Sequence, residues 1–271
     1  MLGPVSARVS DGRPARVPRS AAKAAQAAGR TIAMINRLKK IVLASTKPAF
    51  WPALAKRIMP GVEHIGAIAT LSPQTLIDVG ANKGQFSLVA RYLFPNVQIH
   101  AFEPLPDAAR LYQAVVSGPR VLHPIALGAR NGTIKFFVTS RADSSSTLPP
   151  SAAQYAAYGV SASHSIEVAV GRMADRVDVA ALRRPILVKI DVQGSELEVL
   201  KGAEEVLSLL DAIYCEVSFV QLYEGQPLAG DVIAYLSARG FDLRGIFNLS
   251  NTRKFGPTQA DLLFCQKPSP T

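Results

Sequence analysis

Asp78, Gly80, Asn82 and Gly84 occupy alternate positions of the stretch Leu76-Ile77-Asp78-Val79-Gly80-Ala81-Asn82-Lys83-Gly84-Gln85-Phe86-Ser87. Nineteen residues after Gly84, at the end of the apolar run Val97 to Phe102, stands Glu103. Two glycines in so short a turn supply dihedrals that side chains resist and let the backbone approach a ligand. An acid at that distance is placed to accept hydrogen bonds from ribose hydroxyls. This spacing suits the holding of a nucleoside.

A dinucleotide fingerprint puts glycine at the first, third and sixth positions so that bare backbone reaches a pyrophosphate. Here the third position is Asn82 and the spacing is Gly-x-x-x-Gly. An amide at that place obstructs a pyrophosphate but can donate to a carboxylate, such as the one on the methionyl part of S-adenosylmethionine. Asp78 is then placed to receive the amino end of the same ligand. A glycine turn after a first strand occurs in any doubly wound protein, so a second stretch is needed to decide.

That stretch is Ile186-Leu187-Val188-Lys189-Ile190-Asp191-Val192-Gln193-Gly194-Ser195-Glu196, again a strand, a turn and a helix. Its strand ends in Asp191, and the following apolar run, Ile213 to Val217, carries Glu216 near its end. Ligands of open α/β sheets lie beyond the carboxyl ends of strands, so Asp191 and Glu216 are expected on the edge that holds Gly80 and Glu103. Glu196, in a first helical turn, reads as a partner of the helix dipole.

These residues need elements to position them. Leu76 to Val79 reads as a strand, and Phe86, Val89, Ala90 and Leu93 mark one face of a helix that Pro95 ends. Asp107 is expected to cap a helix running to about Val116, followed by a third strand from Val121 to Leu127. An Asn131-Gly132 turn leads into a strand from Thr133 to Thr139. Ser140 to Ser165 reads as an irregular insertion of the kind that forms a functional loop or lid. A short strand from Ile166 to Val170 and a short helix from Met173 to Leu182 come next. Val199, Ala203, Val206 and Leu210 mark a further helix, and Asp231 to Arg239 another, closed by Gly240. Phe241 to Phe247 and Ala260 to Cys265 supply two final strands.

The 271 residues suit one α/β domain plus an extension. Three parts are expected: a disordered basic tail over 1–29, a helical extension over 30–70 and the catalytic domain over 71–267. Met1 and Met34 are both readable as the start. Cys215 and Cys265 show neither a disulfide framework nor a zinc spacing, which fits a reducing cytoplasm. No apolar run approaches the ~18 residues of a membrane-spanning helix.

The formal net charge of +10 is unevenly spread. Residues 1–60 hold 12 of the 30 Lys and Arg residues and a single acid, Asp11, leaving 18 basic against 19 acidic residues beyond them. Nucleic acid is therefore not expected as substrate, because a reader of phosphates needs its cations around the site. From Arg30 to Ala44, Ile32, Ile35, Leu38 and Val42 recur at helical spacing beside Arg30, Arg37, Lys39 and Lys40. Such a helix either packs on the catalytic domain or lies on an anionic membrane surface, a peripheral contact through residues 30–45 at the inner face. Trp51 is expected to anchor the segment in either case.

Taken together, Asp78-Val79-Gly80-Ala81-Asn82-Lys83-Gly84, Phe102-Glu103-Pro104, Ala126-Leu127-Gly128, Ser145-Ser146-Thr147-Leu148, Lys189-Ile190-Asp191-Val192-Gln193-Gly194-Ser195-Glu196 and Asp261-Leu262-Leu263-Phe264 resemble the FkbM family of S-adenosylmethionine-dependent methyltransferases, over about Leu76 to Gln266. The family often has Glu where this protein has Gln193. The resemblance implies a Rossmann-like class I methyltransferase, α/β, with a seven-stranded mostly parallel sheet, its last strand antiparallel and helices on both faces. It also implies O-methylation of a hydroxyl on a sugar, glycolipid or polyketide-type acceptor. Cofactor contacts are expected from Asp78, Gly80, Asn82, Gly84, Glu103 and Ala126.

A methyl on a sulfonium is already activated, so the protein must align the acceptor oxygen and provide for its proton. Asp191 is the first candidate base and Glu216 its partner; His123 and His164 are rivals, His123 reading as a core residue. Alternatively the two carboxylates hold a divalent cation, for which no third ligand is evident. Two other functional classes stand beside this one: a nicotinamide-dependent oxidoreductase, and a non-catalytic binding protein on a degenerate fold. Asn82 in place of glycine and the lack of a Tyr-x-x-x-Lys pair count against the first; intact Gly80, Gly84, Glu103 and Asp191 count against the second. The sequence leaves the oligomeric state and the acceptor open.

Overall fold

The computed structural model describes residues 38–267. The expected tail over 1–29, with Arg30, Ile32, Met34, Ile35 and Arg37, lies outside the described residues. The protein divides into two units, Met1–Leu43 and Ala44–Thr271. Residues 38–45 are helical, with Leu38, Ile41, Val42 and Leu43 exposed. No helix among the described residues is long and apolar enough to cross a membrane.

The larger unit is organised on strands β1 (Thr75–Val79), β2 (Gln98–Phe102), β3 (Arg120–His123), β7 (Ile186–Ile190), β8 (Ala212–Ser218), β9 (Phe241–Thr252) and β10 (Gly256–Gln266). Strands β4 (Ala126–Leu127), β5 (Gly132–Thr139) and β6 (Ala162–Gly171) make a second sheet. The seven-stranded sheet has the order β3-β2-β1-β7-β8-β10-β9, parallel except that β10 runs antiparallel to both neighbours. This is the expected architecture. Alternation along each strand divides the buried apolar residues between two faces. Ile77, Val79, Val188, Ile190, Ile213 and Cys215 meet Met173, Val199 and Leu236 on one side. Leu76, Ile99, Leu187, Tyr214 and Leu263 meet Phe86, Val89 and Tyr112 on the other.

Residues 44–70, read as part of an extension, join this second face, with Phe50, Ala53, Ile58, Val62 and Ile68 buried there. Trp51 stays exposed and ties its indole N–H to the Ser45 carbonyl at 2.9 Å.

Several boundaries differ from expectation. Val121 to Leu127 is not one strand. Pro124 has no N–H to give a ladder, the Ile125 N–H turns back to the His123 carbonyl, and Ala126–Leu127 leave to pair with β6. The helix after Glu103 spans Pro106–Val115 with Leu105 rather than Asp107 at its cap, because Pro106 already has the φ of a first helical residue. Ser140 to Ser165 is largely ordered. Ser151 caps a helix over Ala152–Tyr158, Gly159 closes it in the left-handed region, and β6 begins at Ala162 to pair with β5. The expected helix from Met173 ends at Arg176, with a 3-10 turn over Val179–Ala181, and the one through Val199 becomes a 3-10 turn beyond Gly202.

Candidate active site at the carboxyl edge of the sheet

The turn after β1 is left-handed three times, at Gly80 (φ 77°), Asn82 (φ 48°) and Gly84 (φ 91°). It delivers the backbone into helix α3, Gln85–Leu93, which follows α1 (Trp51–Ala55) and α2 (Ile65–Ile68). A Cβ on Gly84 would meet Val116 Cγ2 at 2.5 Å, so the second glycine is required by packing as well as by φ.

Glu103 faces this turn. Its Oε2 accepts the Asn82 backbone N–H and its Oε1 the Leu105 N–H, each at 2.8 Å. Burial pushes its carboxyl up to about 7, against those two N–H groups and Lys189. Asp78 is fully buried beneath the turn, where it accepts the Ser87 hydroxyl at 2.7 Å and faces the Lys189 ammonium at 3.5 Å. Asp78 sits inside the strand, under Ser87 and behind the turn, and its Oδ1 is buried without a hydrogen-bond partner. Asn82 Oδ1 is buried without a hydrogen-bond partner. Ala126 is buried in a cluster against Leu105, two residues from Glu103.

Register carries the site across the sheet. Val79 lies opposite Phe102 and Ile190, and Ile190 opposite Cys215, so the next residues, Glu103, Gly80, Asp191 and Glu216, stand level on four adjacent strands. Glu216 in turn lies opposite Asp261 on β10. At about 4.8 Å between strands, these five positions form one row along the carboxyl edge.

Asp191 and Glu216 do converge as expected, and Gln193 joins them. Its Nε2 donates to Asp191 Oδ1 and to Glu216 Oε2, both at 2.7 Å, while Tyr223 donates to its Oε1 at 3.0 Å. Lys189 lies 3.6 Å from the other Asp191 oxygen and donates to the Gly80 carbonyl at 2.9 Å. Despite burial, the Lys189 ammonium is held above its ordinary range by Asp191 and Asp78. Burial, then Asp191 and Asp261, push the Glu216 carboxyl well above the usual carboxylate range. Glu196, raised to about 7 by burial, accepts the Gly194 and Val192 N–H groups at 2.8 and 3.3 Å and so fixes the turn that aims Gln193.

The histidine rivals are elsewhere. His123 stacks on Phe102 at 4.4 Å, and His164 is an exposed strand residue paired with Val138. A different histidine reaches the row. His64 Nδ1 lies 3.1 Å from Tyr214 Oη and 3.4 Å from Asp261 Oδ2, which also accepts from Tyr214 at 2.9 Å and Asn248 at 2.7 Å. Burial raises the Asp261 carboxyl, but His64, Asn248 and Tyr214 outweigh it and hold the group below its ordinary value. No sequence spacing links positions 64, 214, 248 and 261; strand register aligns the last three, and the 3-10 turn Val62–His64 brings the histidine to them. Lys189 had a visible signal, a lone cation in an apolar strand. Among the described residues no three His, Cys, Asp or Glu side chains gather to hold a metal.

The residues present fit S-adenosylmethionine: a bare-backbone turn, a buried orphan acceptor on Asn82 and an acid level with the turn. Comparisons with known proteins agree. The Methyltransferase FkbM domain pattern matches residues 78–243. The protein is 28% identical over 207 residues to the 2-O-methyltransferase NoeI of Sinorhizobium fredii, the match spanning 73% of this sequence and 82% of that one. It is 29% identical to the 31-O-demethyl-FK506 methyltransferase FkbM of Streptomyces tacrolimicus (61% and 72% covered). To the hexuronic acid methyltransferase AglP of Haloferax volcanii it is 28% identical (52% and 55% covered).

Proposed function

Since the protein belongs to the FkbM family of S-adenosylmethionine-dependent methyltransferases, we propose that it methylates a hydroxyl on a sugar, glycolipid or polyketide-type acceptor. The level row from Glu103 through Gly80 to Asp191 and Glu216 carries this reading, because it puts a nucleoside acid and two acceptor-side carboxyl groups on adjacent strands. The names of the relatives, a 2-O-methyltransferase and a hexuronic acid methyltransferase among them, support a hydroxyl-bearing acceptor.

Gly80, Asn82 and Gly84 hold the methionyl end of the cofactor, Glu103 its ribose hydroxyls, and Ala126 belongs to the wall on the nucleoside side. Asp78 acts from below, keeping Ser87 and Lys189 in place. When bound, the sulfonium supplies a methyl group that needs no further activation. The protein's own work is alignment and proton handling. Asp191 accepts the acceptor's hydroxyl hydrogen and takes its proton; burial and the neighbouring Asp191 favour the protonated form of Glu216, which limits the charge the pair carries.

Calorimetry with S-adenosylmethionine, NADH and NADPH, followed by transfer of labelled methyl to a panel of hydroxyl-bearing glycosides, tests the reading. Binding of the sulfonium alone and label in a base-stable ether are the expected results; label in an ester or on nitrogen would replace it.

A further inference from the structure

We propose that the Gln193 amide occupies the place a divalent cation would take between Asp191 and Glu216, so that methyl transfer at this edge proceeds without a bound metal. The inference rests on the acceptor-side reading of these two carboxyl groups.

Two carboxyl groups level on neighbouring strands repel unless a proton, a cation or hydrogen-bond donors intervene. Gln193 Nε2 has two hydrogens, and both are used, one on each group at 2.7 Å. The opposite amide orientation would aim Oε1 at two carboxyl oxygens and lose both bonds. The side chain is not free to swing away. Gln193 and Gly194 have φ of 56° and 106°, which fold the turn back over the strand end. Ser146 donates to the Gln193 carbonyl at 2.7 Å, and Tyr223 holds Oε1. Positive charge beside the pair comes from a side chain: Lys189 faces Asp191 Oδ2 at 3.6 Å. Gln259 donates to Glu216 Oε2 at 3.0 Å, so the oxygen of each carboxyl group that faces Gln193 is already taken by an N–H donor.

Gln193→Glu keeps the outline of the side chain but removes both hydrogens and adds a third carboxylate. Three carboxylates aimed at one point form the oxygen-only set that hard divalent cations accept. Gln193→Ala removes the donor and opens the space without adding a ligand.

The test is Mn²⁺ titration of the full-length protein, loaded with S-adenosylmethionine, followed by electron paramagnetic resonance. Wild type should leave Mn²⁺ in its free hexaaqua spectrum. Q193E should capture it at least about tenfold more tightly, with Q193A between them, and Q193E/D191N should lose the gain. Tight Mn²⁺ capture by wild type that D191N abolishes overturns the proposal, as does the lack of any gain in both Q193E and Q193A. Calorimetry on the same samples reports cofactor binding, so a failure of the methyltransferase reading would be seen separately.

Discussion

A Cβ on Gly80 would lie 1.9 Å from the carbonyl oxygen of Asp191. The first glycine of the turn after β1 and the carboxyl end of β7 therefore share one space. The obstacle is backbone and the φ of 77° is left-handed, so no side-chain rotation relieves it. Gly80→Ala should cost about 2 kcal/mol or more of stability and abolish measurable cofactor binding. Urea unfolding with and without S-adenosylmethionine checks both.

Glu103 should make cofactor binding pH-dependent. Its carboxyl is raised to about 7, and only the ionised form accepts fully from ribose hydroxyls. Affinity should fall below neutral pH, by at most about tenfold per unit, and level off above it. In the unliganded protein the sign is opposite. The native state holds this proton more tightly than the unfolded state does, so the group's contribution to stability is greatest in acid and declines as pH rises from about 4.5 to about 7. Glu103→Gln should flatten both profiles and weaken binding at pH 8 by about 1–3 kcal/mol. Calorimetry across pH 5.5–8.5 on the two proteins measures this.

Lys189 is buried between Asp78 and Asp191. Lys189→Met leaves Asp78 charged in an apolar surround with only Ser87 to help. The expected loss is about 3–5 kcal/mol, partly recovered when Asp78→Asn is added. A double-mutant cycle by chemical denaturation gives the coupling.

Asp191→Asn should lower turnover by orders of magnitude while changing S-adenosylmethionine affinity little, if the residue takes the acceptor's proton as proposed. An equal loss in both would reassign it to the cofactor.

Much of this is legible in the sequence. Strand, glycine turn and helix recur at Leu76 and again at Ile186, and acids stand at or near the ends of the runs through Phe102, Ile190 and Val217, which is enough to place Glu103, Asp191 and Glu216 on one edge. What the sequence hides depends on partners distant along it. The departure of Ala126 from the third strand is set by β6, more than thirty residues on. The insertion after Ser140 reads as irregular because the strand that begins within it is set by pairing with β5, distant along the sequence. His64, Asn248 and Asp261 carry no spacing that marks them, and they meet because β9 and β10 run back across the edge. Gln193 is visible as a departure from the family, but its consequence needs the position of Glu216.

The N-terminal segment offers an independent test. Residues 1–60 hold 12 of the basic residues, and Leu38 and Val42 are 59% and 54% exposed beside Lys39 and Lys40. Binding to anionic vesicles should fall with salt, at on the order of 1 kcal/mol per cation near the surface. It should disappear when residues 1–45 are removed, with cofactor affinity unchanged. Co-sedimentation with anionic and neutral vesicles decides; equal recovery of both proteins in the supernatant would discard a membrane role.

Gln193 also has a chemical lifetime. It is followed by Gly194, and the whole arrangement at this edge depends on the carbon–nitrogen bond of one amide group. Hydrolysis of that bond releases ammonia and leaves a glutamate with the same outline, without any change in the gene. Ageing would then do more than remove a contact: it would turn a nitrogen clamp into an oxygen cage. Fresh and long-stored preparations of this enzyme would respond differently to trace cations in their buffer.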